Sequence, residues 1–168
     1  NLQQKFPAFD LQSVTHLITV SCTGMYAPGL DIDLVKSLSL PTTVQRTGIN
    51  FMGCYAAFNA LKVADAFCLA DNRAKVLIVC TELCSIHFQR EPTEDNLIAN
   101  ALFSDGAAAV LVEAETDATL RLRPESFCSD LAFEGERDMA WSIGNLGFEM
   151  KLSTYVPDII KKGIGDLT

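Results

Sequence analysis

Cys54 is the side chain whose type and setting point most directly to chemistry. It follows Gly53, which lets the backbone turn sharply, and it opens a run with helical periodicity. A thiol at a helix start faces about half a unit of positive charge and backbone N–H groups without intrahelical partners. Both favour the thiolate, the form that attacks a carbonyl carbon. The same cysteine also reads as a small packed hydrophobe. A nucleophilic thiol ordinarily works with a base or an orienting partner. His16 lies mid-strand, which fits the core or a strand edge. His87 follows the strand end near Cys80 and Cys84, where catalytic groups gather in α/β sheets, and reads equally as a satisfied surface residue. Asp105, before Gly106, reads as a turn residue bonding its own backbone in preference to a carboxylate site. Glu82, at a strand end, is placed to anchor a neighbouring loop. Trp141, Phe148 and Met150 either line an apolar pocket or cover the core.

The elements that must position these groups alternate between strand and helix. Residues 2–10 carry apolar positions at helical spacing, interrupted by Pro7. Val14–Cys22 predicts a buried strand and 23–29 a turn-prone loop. Asp31 is placed to cap a short helix through Lys36, with Leu34, Val35 and Leu38 inward. Thr42–Thr47 alternates like a strand. The helix predicted from Cys54 to about Cys68 is dense in alanine and carries only Lys62 and Asp65 as charges, so burial on most sides is expected. Asp71 and Asn72 end it. Val76–Cys80 is the wholly apolar strand of a sheet covered on both faces. Thr93 opens a helix through about Phe103 with Leu97, Ile98 and Leu102 as its apolar side. A turn at Asp105 leads into the strand 107–112, whose small residues are expected to let a helix pack close. Residues 120–122 and 126–128 suggest strands, 129–147 loops, and 156–162 a helix with Pro157 in its first turn. The class is α/β.

Composition narrows the function. Thirteen basic and twenty-one acidic side chains leave a net charge of −8 over 168 residues, with 49% hydrophobic and 20% charged. That is a globular composition, and a chain of this length buries roughly 70% of its unfolded surface. The acidic balance argues against nucleic acid as a partner. No apolar run reaches the ~18 residues needed to span a membrane, and the opening residues lack the apolar core of a signal peptide. Both ends are expected to be cuts in a longer protein. The six cysteines (22, 54, 68, 80, 84 and 128) show no paired metal-ligand spacing and fit reduced thiols of a cytoplasmic protein.

Four pieces, in order, resemble the chalcone synthase and type III polyketide synthase family of thiolase-like condensing enzymes. They are Val14–Ile18 running into Cys22-Thr23-Gly24 and Pro28-Gly29; Met52-Gly53-Cys54-Tyr55-Ala56; Ala74–Glu82; and Ala101-Leu102-Phe103-Ser104-Asp105-Gly106-Ala107-Ala108-Ala109. A fainter match runs from Leu146-Gly147-Phe148 to Val156-Pro157. The resemblance implies the first, N-terminal half of a thiolase-like fold: a mixed, mostly parallel sheet against a buried helix that starts at the nucleophile, with residues 1–168 forming a truncated lobe and the second lobe absent.

It also implies roles. Cys54 corresponds to the nucleophile that takes a starter acyl group from coenzyme A as a thioester and holds the growing chain. Phe103 corresponds to a gatekeeping phenylalanine, and Met150 stands where many relatives have a second one. Cys22, Cys84 and His87 stand where plant relatives have cavity-lining threonines, and Ala27 where they have a methionine reaching into the partner's cavity. These changes suggest a larger or differently shaped pocket, suited to a long acyl starter. The implied substrates are an acyl-CoA and malonyl-CoA, with no cofactor and no metal, in a homodimer. The family's catalytic histidine and asparagine, with most of its coenzyme A phosphate ligands, would fall outside these residues, so the chain alone is expected to be inactive. Three rivals stand beside this reading: a ketoacyl synthase III-like enzyme using a carrier protein, a cysteine hydrolase, and a non-catalytic thiolase-fold scaffold. Loss of carbon dioxide generates the carbanion equivalent, so a condensing enzyme needs a dry pocket, a thioester-forming cysteine and donors for an enolate oxygen, not a strong base.

Overall fold

The computed structural model describes residues 9–116, 121–131 and 133–164. By its internal contacts the chain forms two compact units, Asn1–Glu82 with Gly106–Pro124, and Leu83–Asp105 with Glu125–Thr168.

The first unit holds strand β1 (His16–Ser21), helix α1 (Leu30–Ser37), β2 (Gln45–Asn50), α2 (Ala56–Ala70), β3 (Lys75–Glu82) and β4 (Gly106–Glu113). The sheet order is β2-β1-β3-β4, with β1 parallel to both neighbours and β4 antiparallel to β3. Side chains alternate between its faces. Ile18, Val20, Val76 and Ile78 point to one face, where they meet Ala56, Ala60 and Ala64 of α2. Leu17, Leu77 and Val79 point to the other, where they meet Leu11, Val14, Leu40 and Val44. The alanines recur every four residues, so they form one stripe along α2. Leu61, Val63, Phe67 and Cys68 of the same helix are half-buried against that core, whereas Phe58 and Leu69 are 67% and 82% exposed. The expected burial is carried in this unit by the side facing the sheet, where alanine allows close approach.

Other expectations shift for local reasons. Gly29, at φ 117°, is the N-cap of α1, and Asp31 sits in the first turn instead, paired with Arg46 and favourable to the helix dipole. Leu34, Val35 and Leu38 do pack on the core. The second strand lies at 45–50, not 42–47. In β4, residues 106–110 are exposed, so its small residues do not receive a helix within the unit. Most of the helical pattern over 2–10 lies outside the described residues, which open with a 3-10 turn at Leu11–Ser13.

The second unit holds a 3-10 turn at Cys84–His87, helix α3 (Glu94–Leu102), the antiparallel hairpin β5 (Met139–Gly144) and β6 (Gly147–Leu152), and helix α4 (Val156–Ile164). The Thr93 hydroxyl oxygen accepts the Asn96 N–H at 3.2 Å, the expected cap. The inward side of α3 is not the predicted one: Ala99 is buried, whereas Leu97 and Leu102 are exposed. The hairpin replaces the loops predicted over 129–147, because its strands are short and Gly144 and Gly147 bracket a tight turn. Residues 121–131 form no strand, and Leu120 lies outside the described residues. Helix α4 forms as predicted, with Pro157 in its first turn.

Candidate active site

In the first unit the chain climbs out of β2 through two left-handed residues, Phe51 (φ 56°) and Gly53 (φ 75°). Only glycine adopts that conformation without steric penalty, which is why Gly53 precedes the thiol. The turn closes when the Ala56 N–H donates to the Gly53 carbonyl at 3.1 Å. The helix therefore begins at Ala56 with Tyr55 as N-cap, and Cys54 stands in the turn before it, not in the first helical position as predicted. Cys54 is exposed.

Beneath this turn lies Cys22, buried at the end of β1. Its backbone N–H donates to both oxygens of Glu82, at 2.9 and 3.1 Å, and the Thr23 hydroxyl donates to the same carboxylate at 2.7 Å. Glu82 is thus the loop anchor its strand-end position suggested. Burial pushes the Cys22 thiol up from its ordinary value; the Gly53 N–H pulls against that, Glu82 adds to it, and the backbone of Phe51 and Met52 also pulls it down. The Phe51 N–H donates to the Ser21 carbonyl at 3.3 Å, which joins the turn before Cys54 to the end of β1. His16 is a core residue, buried, stacked on Phe67 at 4.4 Å and bonded to the Thr15 hydroxyl at 2.8 Å.

The second unit contains a cavity of about 380 Å³. Phe88, Phe103, Trp141, Phe148 and Met150 make its apolar wall. Cys84, Ser85, His87, Asn96, Asn100 and Asp105 contribute sulfur and polar groups. Four of the predicted site residues, Phe103, Met150, Cys84 and His87, therefore line one space; Cys22 and Cys54 belong to the first unit. His87 is held by the hairpin: the Phe148 N–H donates to its Nδ1 at 3.1 Å, and its ring lies 4.6 Å from Phe148 and 6.0 Å from Trp141. Gly147 makes room, since a Cβ there would approach Nδ1 to 2.9 Å.

Asp105 does not bond its own backbone as predicted. It accepts the Ser85 N–H at 2.8 Å and the Ser85 hydroxyl at 2.7 Å, and these two bonds, in that order, hold its carboxyl below the ordinary value. Ser85, Gln89, Asn96 and Asn100 escaped the sequence analysis. The four-residue spacing of Asn96 and Asn100 was the available signal, since it sets both amides on one face of a helix. Asn100 donates to the Gln89 carbonyl at 2.9 Å and Gln89 donates to the Phe148 carbonyl at 3.3 Å, so α3, the loop and β6 are tied together. Among the described residues no group of side chains could hold a metal ion, and no helix is long and apolar enough to cross a membrane.

The profile described as "Chalcone and stilbene synthases, N-terminal domain" matches residues 8–116. The chain is 32% identical over 157 residues to "Probable polyketide synthase 1" of Dictyostelium discoideum, covering 92% of this chain and 5% of that protein. It is 33% identical over 153 residues to the "Alpha-pyrone synthesis polyketide synthase-like Pks18" of Mycobacterium tuberculosis, covering 88% of this chain and 39% of that protein. Its backbone is similar to the crystal structure of 1,3,6,8-tetrahydroxynaphthalene synthase from Streptomyces coelicolor A3(2), a bacterial type III polyketide synthase. The TM-score is 0.85 at 30% identity, with 95% of this chain and 46% of that one covered. The chain thus spans less than half the length of each of these relatives.

Proposed function

Since the chain belongs to the chalcone and stilbene synthase family and has the thiolase-like fold of type III polyketide synthases, we propose that it carries the acyl-loading cysteine of a polyketide-forming acyltransferase. In that reaction the Cys54 sulfur attacks the carbonyl of an acyl-CoA and expels the coenzyme A thiolate, which takes up a proton. Malonyl-CoA loses carbon dioxide, and the enolate carbon attacks the Cys54 thioester. The Cys54 thiolate leaves, and the chain, longer by two carbons, departs as a β-ketoacyl-CoA. Holding one partner covalently makes the carbon–carbon step effectively intramolecular.

The single observation carrying this reading is an exposed thiol in a glycine-kinked turn at the start of a helix, within a chain of this family. The cavity of the second unit has an apolar wall, with Phe103 and Met150 as the gatekeeping side chains and Cys84 and His87 on the same lining; Cys22, in the first unit, is the third residue taken to shape acceptance of a long starter. The substrates are coenzyme A thioesters, and no cofactor takes part. The histidine and asparagine that bind the malonyl carbonyl are supplied from outside these residues. Met25, Tyr26, Tyr55 and Phe58 are each exposed in the first unit, and apolar side chains left at the surface support an interface, which the proposal takes to be that of a homodimer. The six free cysteines support a reducing, cytoplasmic setting, and the net charge of −8 argues against a nucleic-acid partner.

The test is turnover by the whole protein on a panel of acyl-CoA starters with malonyl-CoA. One carbon dioxide released per two carbons added, without a carrier protein and best with long acyl groups, is the expected result. Reaction with small aromatic starters only refutes the long-starter assignment. Activity only when a carrier protein delivers the malonyl group points to the ketoacyl synthase alternative.

A further inference from the structure

Helix α3 ends at Leu102, and Phe103, Ser104 and Asp105 follow it along the wall of the second unit's cavity. The near end of this short segment is set by the helix. The Phe103 N–H donates to the Ala99 carbonyl at 2.9 Å, and Asn100 ties the last turn to the Gln89 carbonyl. At Phe103 the backbone becomes extended, with φ −93° and ψ 136°, so the helical ladder no longer directs the chain. The far end is set by Asp105, whose carboxylate accepts the Ser85 N–H at 2.8 Å and the Ser85 hydroxyl at 2.7 Å. Two bonds to one residue fix direction as well as distance, and a charged acceptor makes each stronger than a neutral pair would be. Ser85 belongs to the 3-10 turn Cys84–His87, which lines the same cavity. Phe103 therefore stands between two ties, with its half-buried ring on the cavity wall.

We propose that Asp105 is a positioning residue: clasped to Ser85, it holds the Phe103 ring at its place on the cavity wall, and so sets how well the gate accepts an acyl thioester. This rests on the gatekeeping role given to Phe103 in the polyketide reading. The clasp is separable from the side chain that forms it. Alanine at position 105 removes both bonds, whereas asparagine keeps both, its oxygen accepting the Ser85 N–H and its amide donating to the Ser85 hydroxyl oxygen.

The experiment measures kcat and KM for a long-chain acyl-CoA, with malonyl-CoA in excess, in the whole protein carrying Asp105→Ala or Asp105→Asn, each with and without Phe103→Ala. D105A is expected to lower kcat/KM about five- to tenfold, through KM, because a lining side chain meets the acyl group in ground and transition states alike. D105N is expected to recover most of that loss. In the F103A background D105A is expected to cost less than about twofold, since the ring it positions is gone. An equal loss in both backgrounds, or wild-type kcat/KM in D105A, overturns the proposal. A second measurement needs no turnover: 4-fluorophenylalanine is placed at position 103 of the whole protein and its fluorine resonance recorded. The resonance is expected to match between wild type and D105N and to shift or broaden in D105A, while the same probe at position 148 stays unchanged. An unaltered resonance at position 103 in D105A overturns the proposal. Wild type that turns over no acyl-CoA contradicts the polyketide reading itself, and the fluorine resonance then decides the positioning role alone.

Discussion

Both carboxylate oxygens of Glu82, at the end of β3, accept the backbone N–H of Cys22, at the end of β1. The two strands are parallel neighbours, so their ends converge on the same edge of the sheet. With the Thr23 hydroxyl on the same carboxylate, Glu82 fixes where the chain leaves β1, and the Ser21 carbonyl just before accepts the Phe51 N–H of the turn that leads to Cys54.

Replacing Glu82 by alanine leaves the Cys22 N–H and the Thr23 hydroxyl without their acceptor. A stability loss of about 1–3 kcal/mol is expected, read by denaturant unfolding. Glu82→Gln keeps one acceptor oxygen and is expected to lose less. Equal stability of wild type and Glu82→Ala contradicts the anchoring role.

The Ser85–Asp105 pair gives a signed pH dependence. Asp105 has a folded-state value below its ordinary 3.8, so the unfolded state binds a proton more readily. Its contribution is therefore fully present above 3.8 and is lost as the pH falls through the depressed folded value. The stability difference between wild type and Asp105→Asn is expected to be level at neutral pH and to shrink in acid. Ser85→Ala is expected to narrow the same window, and a difference that grows on acidification contradicts the assignment.

Two glycines test the backbone argument. Gly53→Ala forces a side chain into φ 75° with no more than ordinary contact, 3.9 Å to the Tyr55 ring, so the conformational penalty dominates, roughly 1–2 kcal/mol. Gly147→Ala combines φ 132° with a contact of 2.9 Å to His87 Nδ1 and is expected to lose more. Thermal midpoints of the two variants check the order.

Ala60 is wholly buried where α2 meets the sheet. Ala60→Leu is expected to destabilise by about 1–3 kcal/mol, because three extra heavy atoms must displace the packed core around it. An exposed control on the same helix, Leu69→Ala, is expected to change little.

Where packing obeyed strand periodicity, sequence sufficed: Leu17 and Ile18 sort to opposite faces of β1, and Thr93 caps α3 through its hydroxyl. Capping and alternation are local, so neighbours a few residues apart decide them. The shortfalls came from longer range. Nothing near Phe58 or Leu69 states which sides of α2 a sheet will cover, and nothing near Leu97 says that Ala99 will turn inward. The β5–β6 hairpin hid in short, weakly alternating strands. The cavity was legible only in part: Phe103, Met150, Cys84 and His87 were singled out, whereas Ser85 joins through a hydrogen bond to a residue twenty positions away. The bond between His87 and Phe148 spans sixty-one positions and leaves no local trace.

The central claim is that the Cys54 sulfur accepts an acyl group. Incubation of the whole protein with a long-chain acyl-CoA, followed by peptide mass mapping, addresses it directly. An acyl adduct on the peptide containing Cys54, missing in Cys54→Ala and consumed once malonyl-CoA is added, is the predicted result. No adduct, or one carried by another cysteine and unaffected by malonyl-CoA, contradicts it.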